Sequence, residues 1–322
     1  MNPRQRIVVV VTGASSGIGR ETARTYARRG ARLAISSRSR TALDTVAQEC
    51  RDLGGEVLAV PADVADQKAM IGLADAAAAA FGRIDVWVGN AGVFAYGTFE
   101  QLPSDVFRQV VETNLFGQVH GARAVLPQFR RQGSGSLVLV GSLYSRASSP
   151  SISPYVTSKF GLLGFAESLR QELRGSGIRV HLVLPASVDT PIYQHAANFT
   201  GREVRPVPPV SSPARVARAI RRAPRRRRFT TFVGRTQKAA LLVHHFAPGV
   251  HRRAAGWLMQ HVELHGRSPQ VTTGNVLHPT GSAEPVTGGW RASGIRLLLT
   301  AAAAMLVLSA AGSHGDLHRK PR

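Results

Sequence analysis

The chain has 322 residues, 43% of them apolar, and 41 Lys/Arg against 19 Asp/Glu give it a formal net charge of +22. That length and apolar share are those of a globular protein with one large domain or two small ones, not of a disordered chain. A single cysteine, Cys50, excludes an internal disulfide and suits a reducing compartment such as the cytoplasm.

The N-terminus enters "RIVVVVTG" directly, with nothing that reads as a secretory leader. From there to residue 185, strand-like runs alternate with helical ones. "RIVVVV", "RLAISS", "EVLAVPA", "IDVWVG", "SLVLVGS" and "RVHLVLP" are short, rich in Val, Ile and Leu, and apolar on both faces, as strands between two helix layers must be. Helical stretches such as "GRETARTYARRG" and "KAMIGLADAAAAAFG" separate them, and "FTTFVG" at 229–234 supplies a seventh strand. The rhythm predicts an α/β fold over residues 1–235: a Rossmann-type, doubly wound parallel sheet of about seven strands with helices on both faces.

Past the sixth strand the character changes. Residues 1–201 hold 21 basic and 15 acidic side chains, a net +6, whereas 202–322 hold 20 and 4, a net +16. Residues 236–267 read as a basic amphipathic extension and 268–294, rich in Gly, Ser, Thr and Pro, as a linker. An apolar run follows at 295–311, and then a polar tail at 312–322.

"TGASSGIG", residues 12–19, stands between the first strand and the first helix. A glycine-rich turn there lets the backbone approach a pyrophosphate, whose charge is favoured at a helix N-terminus. Gly13 suits the tight turn, Gly17 the close approach and Gly19 the packing of helix on strand, with Ser15, Ser16 and Ile18 beside them. A second pair carries acid–base chemistry. Tyr155 and Lys159 in "YVTSK" are four apart and share a helix face. A free phenol, with a pKa near ~10, is a poor base at neutral pH, and a neighbouring ammonium favours its ionised form. Only four lysines occur in this arginine-rich chain, so one placed here carries extra weight.

These motifs, with "NAG" at 90–92, "TN" at 113–114 and Ser142, resemble the short-chain dehydrogenase/reductase family in its common single-domain form, over roughly residues 6–235. The resemblance implies a nicotinamide-dependent oxidoreductase that moves a hydride between the cofactor and an alcohol or carbonyl. It makes Tyr155 the general acid/base, has Ser142 bond the substrate oxygen, and has Asn114 hold a water on the proton route to Lys159. It also implies cofactor contacts from Asp63, Val64, Asn90, Ala91, Gly92, Val188 and Thr190, and a homodimer or homotetramer. Two positions depart from the family pattern: Gly89 replaces the usual first Asn of Asn-Asn-Ala-Gly, and Pro185-Ala186 replaces Pro-Gly.

The second strand ends "ISSRSR", with no acid before Asp44. An NAD site places a carboxylate about 20 residues beyond the glycines for the ribose hydroxyls. Ser37 and Arg38 instead offer a hydroxyl and a cation to a 2′-phosphate, which favours NADP(H) over NAD(H). After the sixth strand, "IYQHAANFTGREVRPVPPV" reads as a lid whose Ile192, Tyr193 and Phe199, with Tyr144 opposite, make an apolar substrate pocket. His195 reads as a lid residue.

The basic tail admits three readings. His261 and His265 are spaced as helical metal ligands, but Glu263 does not fit the zinc-protease pattern and few carboxylates are near, so no metal is expected. Arg221, Arg222 and Arg225–Arg228 form a cationic patch without a base-reading motif, so they read as a solvated charge run and not a nucleic-acid site. Residues 295–311 are near the lower length limit for a span, and favour membrane association by a span or a surface helix. The rival to an enzyme is therefore a membrane-tethered binding protein using the nucleotide fold as a sensor. The intact Asn-Ser-Tyr-Lys set favours turnover.

Overall fold

The structure, a computed structural model, describes residues 6–267, 270–279, 281 and 284–291. Runs of β-branched residues supply seven parallel strands: β1 (Val8–Thr12), β2 (Arg32–Ser36), β3 (Glu56–Ala59), β4 (Val86–Gly89), β5 (Gly135–Val140), β6 (Ile178–Pro185) and β7 (Thr230–Val233). Their order across the sheet is β3-β2-β1-β4-β5-β6-β7, with pairs such as Val9↔Leu33 and Val9↔Val86 fixing the register around β1. The chain doubles back between β1 and β4, which opens a crevice at the carboxyl ends of the strands.

Alternation along each strand divides the core between two helix layers. Val8 and Val10 pack towards α3 (Gln67–Phe81), α5 (Gly117–Gln132) and α6 (Ser153–Glu172), with α4 (Ser104–Val111) against α6, whereas Val9 and Val11 pack towards α1 (Gly17–Ala27), α2 (Arg40–Asp52) and α7 (Pro213–Arg222). Asp66 starts α3 by accepting from the amides of Lys68 (2.8 Å) and Ala69 (3.3 Å). Cys50 is buried in the second layer, where desolvation pushes its thiol up to about 12 and leaves it a packing residue.

The segment beyond β7 does not stand apart. Helices Arg235–Phe246 and Pro248–Leu258 lead into a π-helical turn, Met259–Glu263, and a short strand, Leu264–His265, that pairs antiparallel with Glu203–Val204. The composition of 268–294 predicts a linker, yet its described residues pack back on the domain. Val276 is fully buried against Val93 and Val106, and Asn198 bridges Thr272. Glycine and proline there serve a fitted backbone, which composition does not distinguish from a free one. The apolar run 295–311 and the tail 312–322 lie outside the described residues. Among the described residues no helix is long and apolar enough to cross a membrane.

Candidate active site

Because all seven strands run the same way, the loops leaving β1 to β6 reach one edge, where they border a cavity of ≈ 570 Å³. Every residue expected at the nucleotide and substrate sites lines it except three. Gly19 sits one turn inside, where an added Cβ would lie 2.0 Å from the Gly13 carbonyl oxygen. Asn114 is fully buried behind the wall. Phe199, expected in the lid, packs instead with Val93, Leu102 and Val106, its amide held by Tyr96 O at 2.8 Å.

The nucleotide end is built on β1 and β4. Gly13 has φ +64, and a Cβ there would meet Ala91 Cα at 2.7 Å, so the glycine loop seats directly on Asn90–Gly92. Thr12 joins them: its Oγ1 accepts from the amides of Asn90 (3.1 Å) and Ala91 (3.3 Å), while Asn90 Nδ2 donates to Thr12 O and Gly13 O. The unusual Gly89 also has a cause. A Cβ at 89 would lie 2.1 Å from Gln118 Oε1, and Gln118 Nε2 donates to Ala91 O at 2.9 Å. Gln118 thus fills the space beside Gly89 and holds the Asn90–Gly92 loop.

At the chemical end Tyr155 and Lys159 stand one turn apart on α6, with Lys159 Nζ 5.5 Å from the Tyr155 ring centroid and 3.1 Å from Val140 O. The Tyr155 ring stacks on Phe94 at 3.9 Å and meets Tyr144 edge-on at 6.2 Å. Burial pushes its phenol up to about 12, against a hydrogen bond with Ser142 that favours the phenolate. Burial lowers Lys159 to about 8. Asn114 lies in a single π-helical turn, Glu112–Phe116, an irregularity frequent at functional sites. Its amide accepts from Val93 N (2.8 Å) and donates to Val93 O (2.9 Å) and Ser158 Oγ (3.2 Å).

The segment after β7 supplies the roof. Val250, Ala254, Leu258 and Met259 face the cavity, and Glu263 enters it at 3% exposure. Tyr96 Oη donates to Glu263 Oε1 at 2.7 Å and Tyr144 gives a second bond, while burial raises the carboxyl to about 7. Arg202 and Arg205 bind the backbone carbonyls of Leu264 and Val262, at 2.6 and 2.7 Å, sewing lid to roof.

The described residues 275–279 and 284–290 then run along the mouth of the cleft. Arg38 donates to the carbonyls of Asn275 and Val276, Arg20 to Glu284 O at 2.6 Å, and Gly17 N to Pro285 O at 3.3 Å. At the other end Asp189 Oδ1 accepts from the amides of Gly288 (3.1 Å) and Trp290 (2.8 Å), and the Trp290 indole donates to Thr190 O at 3.1 Å. His195, read as a lid residue, pairs with Glu284 at 3.2 Å.

The sequence reading gave Thr12, Phe94, Glu263 and Trp290 no role of their own at this site. Only Glu263 left a signal: acids are as scarce after residue 202 as lysines are in the whole chain. Of the tail histidines, His244 and His251 meet, with Nδ1 atoms 3.3 Å apart, but the others stand elsewhere. His261 bonds Trp257 O and His265 pairs with Glu203, and among the described residues no three metal-ligating side chains gather. Arg221 and Arg222 end α7, and Arg226–Arg228 lie exposed on the turn into β7.

The cavity suits a dinucleotide in size and in donor set, with a helix N-terminus and glycines at one end and a cation with hydroxyls beyond. Comparison with known proteins agrees. The profile of the short chain dehydrogenase family matches residues 7–200. The Bacillus subtilis (strain 168) oxidoreductase YxnA is 31% identical over 313 residues, 94% of this chain and 87% of its own, so that likeness continues into the roof. A Burkholderia phymatum short chain dehydrogenase/reductase solved with NAD superposes with a TM-score of 0.70 at 27% identity, covering 78% of this chain and 97% of its own. An alcohol dehydrogenase from Thermococcus sibiricus complexed with 5-hydroxy-NADP gives 0.62 at 28%, covering 71% and 96%. The chain belongs to the short-chain dehydrogenase/reductase family and is an NAD(P)-dependent dehydrogenase acting on CH–OH groups.

Proposed function

We propose that this protein interconverts a hydroxyl and a carbonyl on a hydrophobic substrate, with NADP(H) preferred over NAD(H) and Tyr155 as the acid/base group. The observation that carries the reading is the convergence of Ser142, Tyr155 and Lys159 on the cavity that the glycine loop and Arg38 also line. The nicotinamide, when bound, supplies or accepts the hydride. In reduction Tyr155 Oη gives its proton to the substrate oxygen, and in oxidation it takes that proton back. A phenol near 12 is held in the donating form at neutral pH. The Lys159 ammonium favours the phenolate that oxidation needs, and its compact head serves ribose hydroxyls as a planar guanidinium would not. Ser142 Oγ donates to the same substrate oxygen, and Asn114 orders a water on the proton route behind Lys159.

Cofactor preference rests on Ser37 and Arg38 at the end of β2, where no carboxylate stands. A 2′-phosphate would replace two neutral carbonyls at the Arg38 guanidinium with a charged acceptor, which is the stronger bond. Hydrophobic substrate choice rests on Phe94, Tyr144, Ile192, Tyr193, Leu258 and Met259, which wall the other end. Exposed Phe116 and Phe160, beside α5 and on α6, support pairing of two copies through that face, which light scattering of the purified chain tests.

The deciding experiment is turnover with aliphatic, aromatic and steroid ketones, each with NADPH and with NADH. Tyr155→Phe keeps the ring and its stacking, so it should retain cofactor binding and lose activity by about 10²-fold or more. Substantial activity in that variant would remove Tyr155 from the role.

A further inference from the structure

We infer that Glu263 selects substrates presenting a hydrogen-bond donor, a hydroxyl or an ammonium group, at the end remote from the reacting carbon. The inference deepens the proposed function and rests on its reading of the pocket.

Glu263 is the one acidic side chain of the roof that enters the substrate end of the cavity. A carboxylate offers about four lone-pair sites. Two are used, by the phenols of Tyr96 and Tyr144. Among the described residues no Lys, Arg or His side chain pairs with it, although ten ion pairs occur elsewhere in the fold. A buried acid with unused acceptor capacity and no cation is costly unless something completes it. Burial raises its pKa to about 7, so it carries charge only in part until a donor arrives.

Its position fits a substrate's far end. Tyr155, Phe94 and Tyr96 form a continuous stack with centroid steps of 3.9 and 4.6 Å, and Glu263 bonds the phenol at the far end of that stack. Tyr96 is fully buried behind the wall, whereas Tyr155, Phe94 and Glu263 all line the cavity, so a planar or cyclic skeleton lying on Phe94 with its carbonyl at Tyr155 would bring its opposite end towards Glu263. The aromatic walls favour such a skeleton, and their faces also tolerate a cation. A purely structural Glu263 would need only to pin the roof to Tyr96. It would not require the residue to line the cavity.

The test compares para-ethyl-, para-(hydroxymethyl)- and para-(aminomethyl)acetophenone, matched in size and differing only at the far end. Binding to the NADP⁺-loaded protein and to the protein alone is measured by calorimetry, and turnover separately. The two donor-bearing ketones should bind about tenfold more tightly than the ethyl compound, the effect of a hydrogen bond to a charged group. Glu263→Gln, nearly isosteric and still able to accept from Tyr96, should lose most of the aminomethyl advantage. Glu263→Leu should lose both. Equal binding of all three ketones to wild type would overturn the inference, as would an aminomethyl advantage that survives Glu263→Leu. Should the leucine variant not fold, wild type and Glu263→Gln alone decide. Because binding is the readout, donor preference without turnover sinks the proposed reaction and spares this inference. Turnover of all three without preference does the reverse.

Discussion

Replacing Lys159 by methionine should stabilise the cofactor-free protein while removing its activity. The ammonium is 4% exposed, and burial lowers its pKa from 10.5 to about 8. At 1.36 kcal/mol for each pH unit, holding the charged form in the fold costs on the order of 3 kcal/mol. Methionine has similar length and no charge, but it leaves Val140 O without the donor now 3.1 Å away, a loss of about 1 kcal/mol. The net gain near neutral pH is then about 2 kcal/mol, or roughly 4–8 °C in melting temperature. The sign follows from proton counts. Below pH 8 the lysine is charged in both folded and unfolded chains, and the cost is felt in full. Between 8 and 10.5 only the unfolded chain keeps the proton, so wild-type stability rises with pH relative to the variant. The gap should therefore be widest below pH 8 and close towards 10.5. Urea unfolding of both proteins near pH 7 and near pH 10 measures it. A variant no more stable than wild type near pH 7, or a gap that ignores pH, would refute the reasoning.

Other outcomes follow from single contacts. Gly89→Ala places a Cβ 2.1 Å from Gln118 Oε1, and overpacking of this kind should cost about 1–3 kcal/mol in thermal unfolding. Adding Gln118→Ala should recover part of that cost, and strict additivity of the two changes would argue against the contact. Arg38→Asp sets a carboxylate near Asp63 and where a 2′-phosphate is proposed to bind, so NADPH affinity should fall about ten- to hundredfold with NADH little affected. An unchanged NADPH affinity would return the cofactor preference to an open question. Trp290→Ala removes the indole bond to Thr190 O and the edge contact with Tyr193 at 6.0 Å, so cofactor should dissociate several-fold faster in stopped-flow fluorescence. An unaltered rate would mean that the segment around Trp290 does not cover the bound nucleotide.

The sheet, the glycine loop and the Tyr155–Lys159 pair were legible because each is written in local spacing. Two-sided apolar strands, a turn at a helix start and a four-residue separation all survive without knowledge of the rest of the chain. What stayed hidden depends on return of the chain from far away. Glu263 meets Tyr96 across 167 positions, and Arg38 meets Val276 across 238. The described residues 275–279 and 284–290 also bind in part through their own carbonyls and amides, contacts that composition does not record. Phe199 shows the converse error: an apolar residue in a lid has two faces to choose from, and a neighbouring small core of Val93, Leu102 and Val106 claimed it.

Part of the roof's attachment runs through backbone carbonyls, as Arg202 and Arg205 grip Leu264 and Val262 whatever side chains those positions carry. That part of the attachment and the cavity-facing side chains are thus encoded in different atoms of the same segment. Cavity-facing positions such as Val250, Ala254 and Leu258 can be exchanged without touching those grips or the proton-transfer groups beneath, whereas Glu263 also ties the roof to Tyr96. Evolution, or a library confined to these three positions, can retune what the enzyme accepts while inheriting a finished hydride-transfer engine.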